Sequence, residues 1–201
     1  MSDHDSELIR ALFATTTDTV LVDVLRRELW IDGDIDDGVL RDVIRGLKHL
    51  SQLSPHPIDI CINSNGGDVS TGLAIADYIK YLTSKSFVVS TKVMGVAYSA
   101  GALISCSGTP GYRWALPSSR FLVHQLSASG VDGNMEQLQK NIKNLEAMNK
   151  EITKQLADST GQPMRIILRD LKQETFMSAI EARDYGLVDH IIGEKKEGVR
   201  R

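Results

Sequence analysis

Three features of the sequence predict an α/β fold. Strand-length runs rich in Val and Ile alternate with longer stretches whose apolar residues recur at helical spacing. This alternation extends over most of the chain. Twice, a strand-like run passes through small residues directly into a helix. The first such unit is Ile58-Asp-Ile-Cys-Ile62, the glycine turn Asn63-Ser-Asn-Gly-Gly67 and a helix from Val69 to Leu82. The second is a strand from Phe87 to Met94, a turn from Gly95 to Ser99 and a helix from Ala100 to Ser107. Two turns of one type can face each other.

Length and composition bound the rest. With 201 residues, a formal net charge of −3 and 42% hydrophobic residues, the chain suits one domain with a substantial core. No apolar run approaches the roughly 20 residues of a membrane span, and Met1-Ser-Asp-His-Asp-Ser-Glu7 is acidic and polar, unlike a secretory signal. A cytoplasmic protein with no membrane partner is expected. Cys61 and Cys106 sit in apolar surroundings, so two buried, reduced thiols are expected rather than a disulfide. No Cys/His cluster has metal-ligand spacing, and no metal or cofactor is expected. Basic residues are scattered apart from Lys195-Lys196 and Arg200-Arg201, which argues against a nucleic-acid surface.

Taken in order, residues 1 to 26 read as a partly mobile N-terminal arm. It is polar, Thr-rich at Thr15-Thr-Thr17, and has one short apolar patch at Leu8, Ile9, Leu12 and Phe13. Val20 to Leu25 and Glu28 to Ile31 are strand-like, and the acidic stretch Asp32 to Asp37 is a turn. A helix from about Gly38 to Leu53 carries a one-sided stripe of Leu40, Val43, Ile44, Leu47 and Leu50 and ends before Ser54-Pro-His-Pro57. After the two strand-turn-helix units, Tyr112 to Ala115 and Arg120 to His124 form a strand pair around Pro117-Ser-Ser119. Ser127 to Gly133 is a loop or hairpin. A long helix then runs from Asn134 to about Ser159, with Met135, Leu138, Ile142, Leu145, Ile152 and Leu156 on one stripe. That stripe suits equally a helix packed on the core and a projecting helix that buries its stripe against a second copy. A shorter helix follows from Met164 to Lys172. Ser178 with Glu181 forms a capping box for a last helix stopped by Gly186, and Leu187 to Ile192 is a final strand. Residues 194–201 read as a charged, disordered tail.

Ser99 is the leading candidate nucleophile. Gly95, Ala97, Ala100 and Gly101 permit a sharp turn, and a serine there lies at the positive end of a helix, beside N–H groups that suit a developing alkoxide. The stretch resembles the Gly-x-Ser-x-Gly elbow of serine hydrolases, with Ala97 in place of the first glycine. Taken alone, it fits better a serine that only caps the helix.

Four stretches in this order are similar to the proteolytic-subunit family of the Clp protease, ClpP. They are Asn63-Ser-Asn-Gly-Gly67, Met94-Gly-Val-Ala-Tyr-Ser-Ala-Gly101, Arg120-Phe-Leu-Val-His-Gln125, and Phe176-Met-Ser-Ala179 through Tyr185-Gly-Leu-Val-Asp189. The likeness spans about residues 27 to 192, within a peptidase domain expected at 27–193; residues 1–26 carry none of its motifs. The resemblance implies a ClpP/crotonase-like α/β fold of repeated strand-strand-helix units with a projecting handle helix, here the helix from Asn134. It further implies a serine endopeptidase assembled as stacked rings, a tetradecamer, that degrades polypeptide substrates with little side-chain specificity and is fed by an AAA+ ATPase unfoldase. Carried over by residue, Ser99 is the nucleophile and His124 the general base, and the backbone N–H groups of Gly67 and Ala100 form the oxyanion hole. Asn65 stands where the family commonly has proline. The triad acid falls on Glu174 where the family has aspartate, with Asp170 four residues earlier as the alternative. Glutamate fills this role in some α/β-hydrolases. Two other readings remain: a non-catalytic ring subunit that assembles with a catalytic paralogue, for which the departure at Glu174 speaks, and an acyl-CoA-processing enzyme on the same fold, which needs no Ser and His so placed.

Overall fold

The computed structural model describes residues 13–15, 19–126 and 134–194. Its elements are strands β1 (Phe13–Thr15), β2 (Val20–Asp23) and β3 (Glu28–Ile35), helix α1 (Asp37–Leu53), strand β4 (Ile58–Gly67), helix α2 (Val69–Ser84) and strand β5 (Val89–Tyr98). There follow α3 (Ala100–Cys106), β6 (Arg113–Ala115), β7 (Arg120–Val123), α4 (Met135–Thr160), α5 (Met164–Lys172), β8 (Thr175–Ser178), α6 (Ala179–Tyr185) and β9 (His190–Ile191). The expected loop at 127–133, the arm up to residue 12 and the tail from 195 lie outside the described residues.

The sheet has the order β1-β2-β3-β4-β5-β6-β9, parallel from β3 onward, with antiparallel strands at the β1 edge. It forks at β5. Thr91, Lys92 and Val93 pair with β6, whereas Val96, Ala97 and Tyr98 pair with β7, which pairs in turn with β8. The fork brings Ser99, at the end of β5, beside the strand that leads to His124.

Side-chain chemistry explains the element ends. Asp36 caps α1 by accepting from the Val39 N–H at 2.9 Å, and Pro55 and Pro57 follow its C-terminus. There, the Arg27 guanidinium donates to the carbonyls of Ser54, His56 and Pro57, where a cation suits the negative end of the helix. Along β4, Ile58, Ile60 and Ile62 are fully buried on one face, in a core continuous with Leu29 and Ile31 of β3 and Val89 and Val93 of β5. Asn134 and Gln137 form a reciprocal capping box on α4, which ends at Gly161 in the left-handed conformation. Ser178 and Glu181 do the same for α6, with Gly186 as the left-handed stop.

Helix α4 spans 26 residues, about 39 Å. Its buried residues are Ile152, Thr153, Gln155 and Leu156, all in the C-terminal half, whereas Met135 is 71% and Ile142 52% exposed. The helix therefore packs on the core along its C-terminal half and projects along its N-terminal half, where Met135 and Ile142 are exposed and Leu138 and Leu145 half-buried.

Several boundaries differ from expectation. Asn63 to Gly67 and Gly95 to Tyr98 continue as strand. Ile35 pairs with Gly67 and Ser64 with Ala97, and register shifts at each junction absorb the irregular backbone. The acidic turn shrinks because β3 continues to Ile35, with its irregularity between Asp32 and Asp34. The strand expected from Val20 to Leu25 ends at Asp23 and pairs through Val20 to Asp23 with Ile31 to Glu28.

Arg113 ties distant parts of the fold together. Only 7% exposed, it binds both carboxylate oxygens of Asp189 and donates to the carbonyls of Cys106, Ser159 and Gly186, joining β6, α3, the end of α4 and the stop of α6. A buried guanidinium satisfied in this way fixes orientation, and removing one partner leaves a buried charge uncompensated.

Candidate active site

The strand-to-helix junction at Ser99 is sharp. Ser99 has φ 54° and ψ −119°, a conformation unfavourable for a residue with a Cβ, of the kind held in place only by surrounding structure. Part of that hold is direct: the Ser99 N–H donates to the Leu122 carbonyl of β7 at 2.9 Å. The first hydrogen bonds of α3 run from the N–H groups of Ala102 and Leu103 to the Ser99 carbonyl. Ala100 and Gly101 thus contribute first-turn N–H groups with no acceptor inside the helix.

Gly66 and Gly67 face this junction. A Cβ built on Gly66 (φ 102°) would lie 2.7 Å from the Ser99 Cβ and 2.8 Å from the Tyr98 carbonyl. At Gly67 (φ 150°) a Cβ would collide with the Ile35 backbone. Only glycine lets the two junctions approach this closely. The Ser64 hydroxyl holds the stretch by donating to the Gly33 carbonyl at 2.6 Å and accepting from the Gly66 N–H at 3.1 Å. Immediately after Gly67, the Asp68 N–H donates to the Ile35 carbonyl at 2.7 Å and its carboxylate caps α2 through the Thr71 N–H.

Ser99 and His124 line one cleft, in two lobes. The apolar lobe is formed by both residues with Ala100, Leu103, Val123 and Ile152 among its walls. The second is more polar and is lined by Ser99 and His124 with Gly67, Asp68, Leu126 and Met148 among others. Four of the five residues expected at the site, Gly67, Ser99, Ala100 and His124, are therefore brought to one cleft.

The fifth, Glu174, lies outside the cleft lining, just before β8. Strands β7 and β8 pair antiparallel from Arg120 with Ser178 to Val123 with Thr175, and the pairing ends there, one residue short of His124 and of Glu174. The Gln125 N–H donates to the Leu171 carbonyl at 3.0 Å, which ties the chain after His124 to the end of α5. Tyr98 meets Phe176 edge-on at 5.9 Å, linking the strand before Ser99 to the strand after Glu174. Glu174 is exposed, with φ 52°. Among the described residues no hydrogen bond joins the His124 ring to Ser99 or Glu174. Catalytic hydrogen bonds commonly tighten only when substrate is bound.

Asp170 is committed elsewhere. It is 4% exposed, accepting from Arg169 Nε at 2.7 Å and from the Tyr185 hydroxyl at 3.0 Å. Burial first, and then the hydrogen bond to this carboxylate, push the Tyr185 phenol well above its ordinary range. Asp170 thus joins α5 to α6 rather than facing the cleft.

One contributor escaped the sequence reading. Asp68 reads locally as a helix cap, and nothing in the local pattern shows that it also lines the cleft. Among the described residues no cluster of His, Cys, Asp and Glu is arranged to hold a metal ion, and no helix is long and apolar enough to cross a membrane. A family model described as Clp protease matches residues 15–195.

Proposed function

The chain belongs to the Clp protease family, and from that membership we propose that it is a serine endopeptidase acting through Ser99, His124 and Glu174 within a ring assembly. The observation that carries this reading is the shared cleft. A serine held at positive φ at a helix N-terminus and a histidine from the neighbouring strand line the same two lobes.

In the proposed cycle, Ser99 Oγ attacks the scissile carbonyl carbon while His124 accepts the hydroxyl proton. The carbonyl oxygen, now anionic, accepts from the N–H groups of Gly67 and Ala100. Such donors, fixed before the reaction starts, need no reorganisation as charge develops. Collapse of the tetrahedral species breaks the C–N bond, and His124 returns its proton to the leaving amine. Water, deprotonated by His124, then hydrolyses the ester on Ser99 and regenerates the hydroxyl. Glu174 orients the imidazole and stabilises its charged form, and its longer arm compensates for a position at the edge of the strand pair. The cycle needs no metal or nucleotide.

The exposed Met135 and Ile142 of α4 support self-association into stacked rings, a tetradecamer by family likeness, with polypeptides delivered by an AAA+ ATPase unfoldase in the cytoplasm. The exposure of Glu174 favours a second reading, a ring subunit without activity of its own that supports a catalytic paralogue. Hydrolysis of an internally quenched peptide by the assembled protein separates the two. Wild type should cleave it, and Ser99→Ala and His124→Ala should each lower the rate by about 10³-fold or more. Equal rates in wild type and Ser99→Ala would refute the serine mechanism.

A further inference from the structure

The two lobes of the cleft differ in a way that bears on substrate choice. The first is walled by aliphatic side chains, Val69, Leu103, Val123, Ile152, Leu156 and Leu171, and suits an apolar side chain. The second carries one carboxylate, Asp68, and no Lys or Arg among its described lining residues. Its other walls include the half-buried Leu126, Leu145 and Met148.

Asp68 is exposed at the N-terminus of α2, where its charge suits the helix dipole, and its cap leaves one oxygen open. Capping α2 uses one oxygen, Oδ1, which accepts from the Thr71 N–H at 2.7 Å. No hydrogen bond of Oδ2 exists among the described residues, and serine or asparagine would cap as well without a charge. Asp68 directly follows Gly67, so the carboxylate flanks the position of the scissile carbonyl proposed above. An aliphatic wall ending at a carboxylate matches a long side chain with a methylene stem and a cationic head.

We propose that the second lobe is a subsite for a lysine or arginine side chain flanking the scissile bond, with Asp68 as its specificity-determining residue and an apolar residue in the first lobe. The subsite rests on the peptidase reading and replaces the indifference to side chains implied by family likeness. Leu126, Leu145 and Met148 cover the stem, and Asp68 Oδ2 receives the ammonium or guanidinium.

The test is a set of internally quenched peptides in which Lys, Gln or Glu is placed in turn at each position on both sides of a leucine. They are compared by kcat/KM and by mass-spectrometric mapping of the cut. At one position wild type should favour Lys over Glu by about tenfold or more, a typical effect of one close charge pair. The preference should weaken at high salt, as it does for partly exposed charges. Asp68→Ser, which keeps a cap, should collapse the Lys/Glu ratio towards one, and Asp68→Asn should do the same. A wild-type enzyme that cuts Lys and Glu peptides equally would overturn the subsite and leave the peptidase intact, as would a preference that survives in Asp68→Ser. Failure to cut any peptide in the set would overturn both.

Discussion

At the scale of single residues the site depends on backbone that only certain side chains permit. Gly66→Ala places a methyl 2.7 Å from the Ser99 Cβ and at a φ of 102°, so either the elbow or the facing strand must move. Because a misplacement of about 1 Å can cost about 10²-fold in rate, peptide hydrolysis should fall by at least that factor while the fold persists. Unchanged kcat would show that the two junctions are not coupled. The cysteines make a second prediction. Burial, with the charge of Glu28 adding to it, pushes the Cys61 thiol up to about 12, and burial raises Cys106 as well. Since the thiolate is the reactive form, native protein at pH 8 should react slowly with a thiol reagent at both positions and rapidly once unfolded. Fast labelling of the native form would contradict this burial. Ser99 stood out in the sequence through its small-residue strand-to-helix turn and His124 only through a motif that resembles the Clp protease family, and the structure sets both on one cleft. Asp68 was half legible, since its cap is local whereas its place in the cleft depends on strands meeting across the sheet.

At the scale of elements, helix ends were readable where a side chain or glycine closes them, as at Asn134, Gly161, Ser178 and Gly186. Strands were less so. Gly66, Gly67 and Gly95 look like turn residues, yet each lies in a strand whose parallel neighbour continues the pairing. Strand β8 has four residues and no alternation long enough to detect before its partner is known. The ion pair of Arg113 and Asp189 was also hidden, because its members are far apart in sequence and meet only in the finished fold. Burial alone would raise the Asp189 pKa, but its hydrogen bonds and charge contact with Arg113 outweigh that and leave it below the ordinary carboxylate range. A depressed folded pKa contributes stability that is full above the unfolded value, about 3.9, and is lost as pH falls through the lower folded value. Asp189→Asn should therefore destabilise by about 3 kcal/mol at pH 7, since it leaves a buried guanidinium uncompensated. It should also flatten the loss of stability below pH 4, as measured by urea unfolding. A variant as stable as wild type at pH 7 would remove the pair from the account.

At the scale of the whole molecule, the α/β class followed from alternation, whereas the fork of the sheet at β5 did not. One strand giving half its length to each of two partners leaves no trace in a linear pattern. That fork joins the elbow to the His124 strand, so the geometry of the site is a property of topology. Assembly belongs at this scale too. Met135→Asp with Ile142→Asp alters two exposed positions of α4 and should leave the subunit fold unchanged by circular dichroism. Light scattering should then show rings dissociating into smaller species. An unchanged mass would show that α4 does not hold the assembly. Ile152 would be a poor choice for the same test, since it is 8% exposed and packs in the core.

An activated Ser99 is the feature on which the proposed chemistry depends most directly. Labelling the assembled protein with a fluorophosphonate and reading intact mass should give a single adduct on wild type, none on Ser99→Ala, and slower formation on Glu174→Gln. An unlabelled wild type, or an adduct that survives in Ser99→Ala, would contradict it.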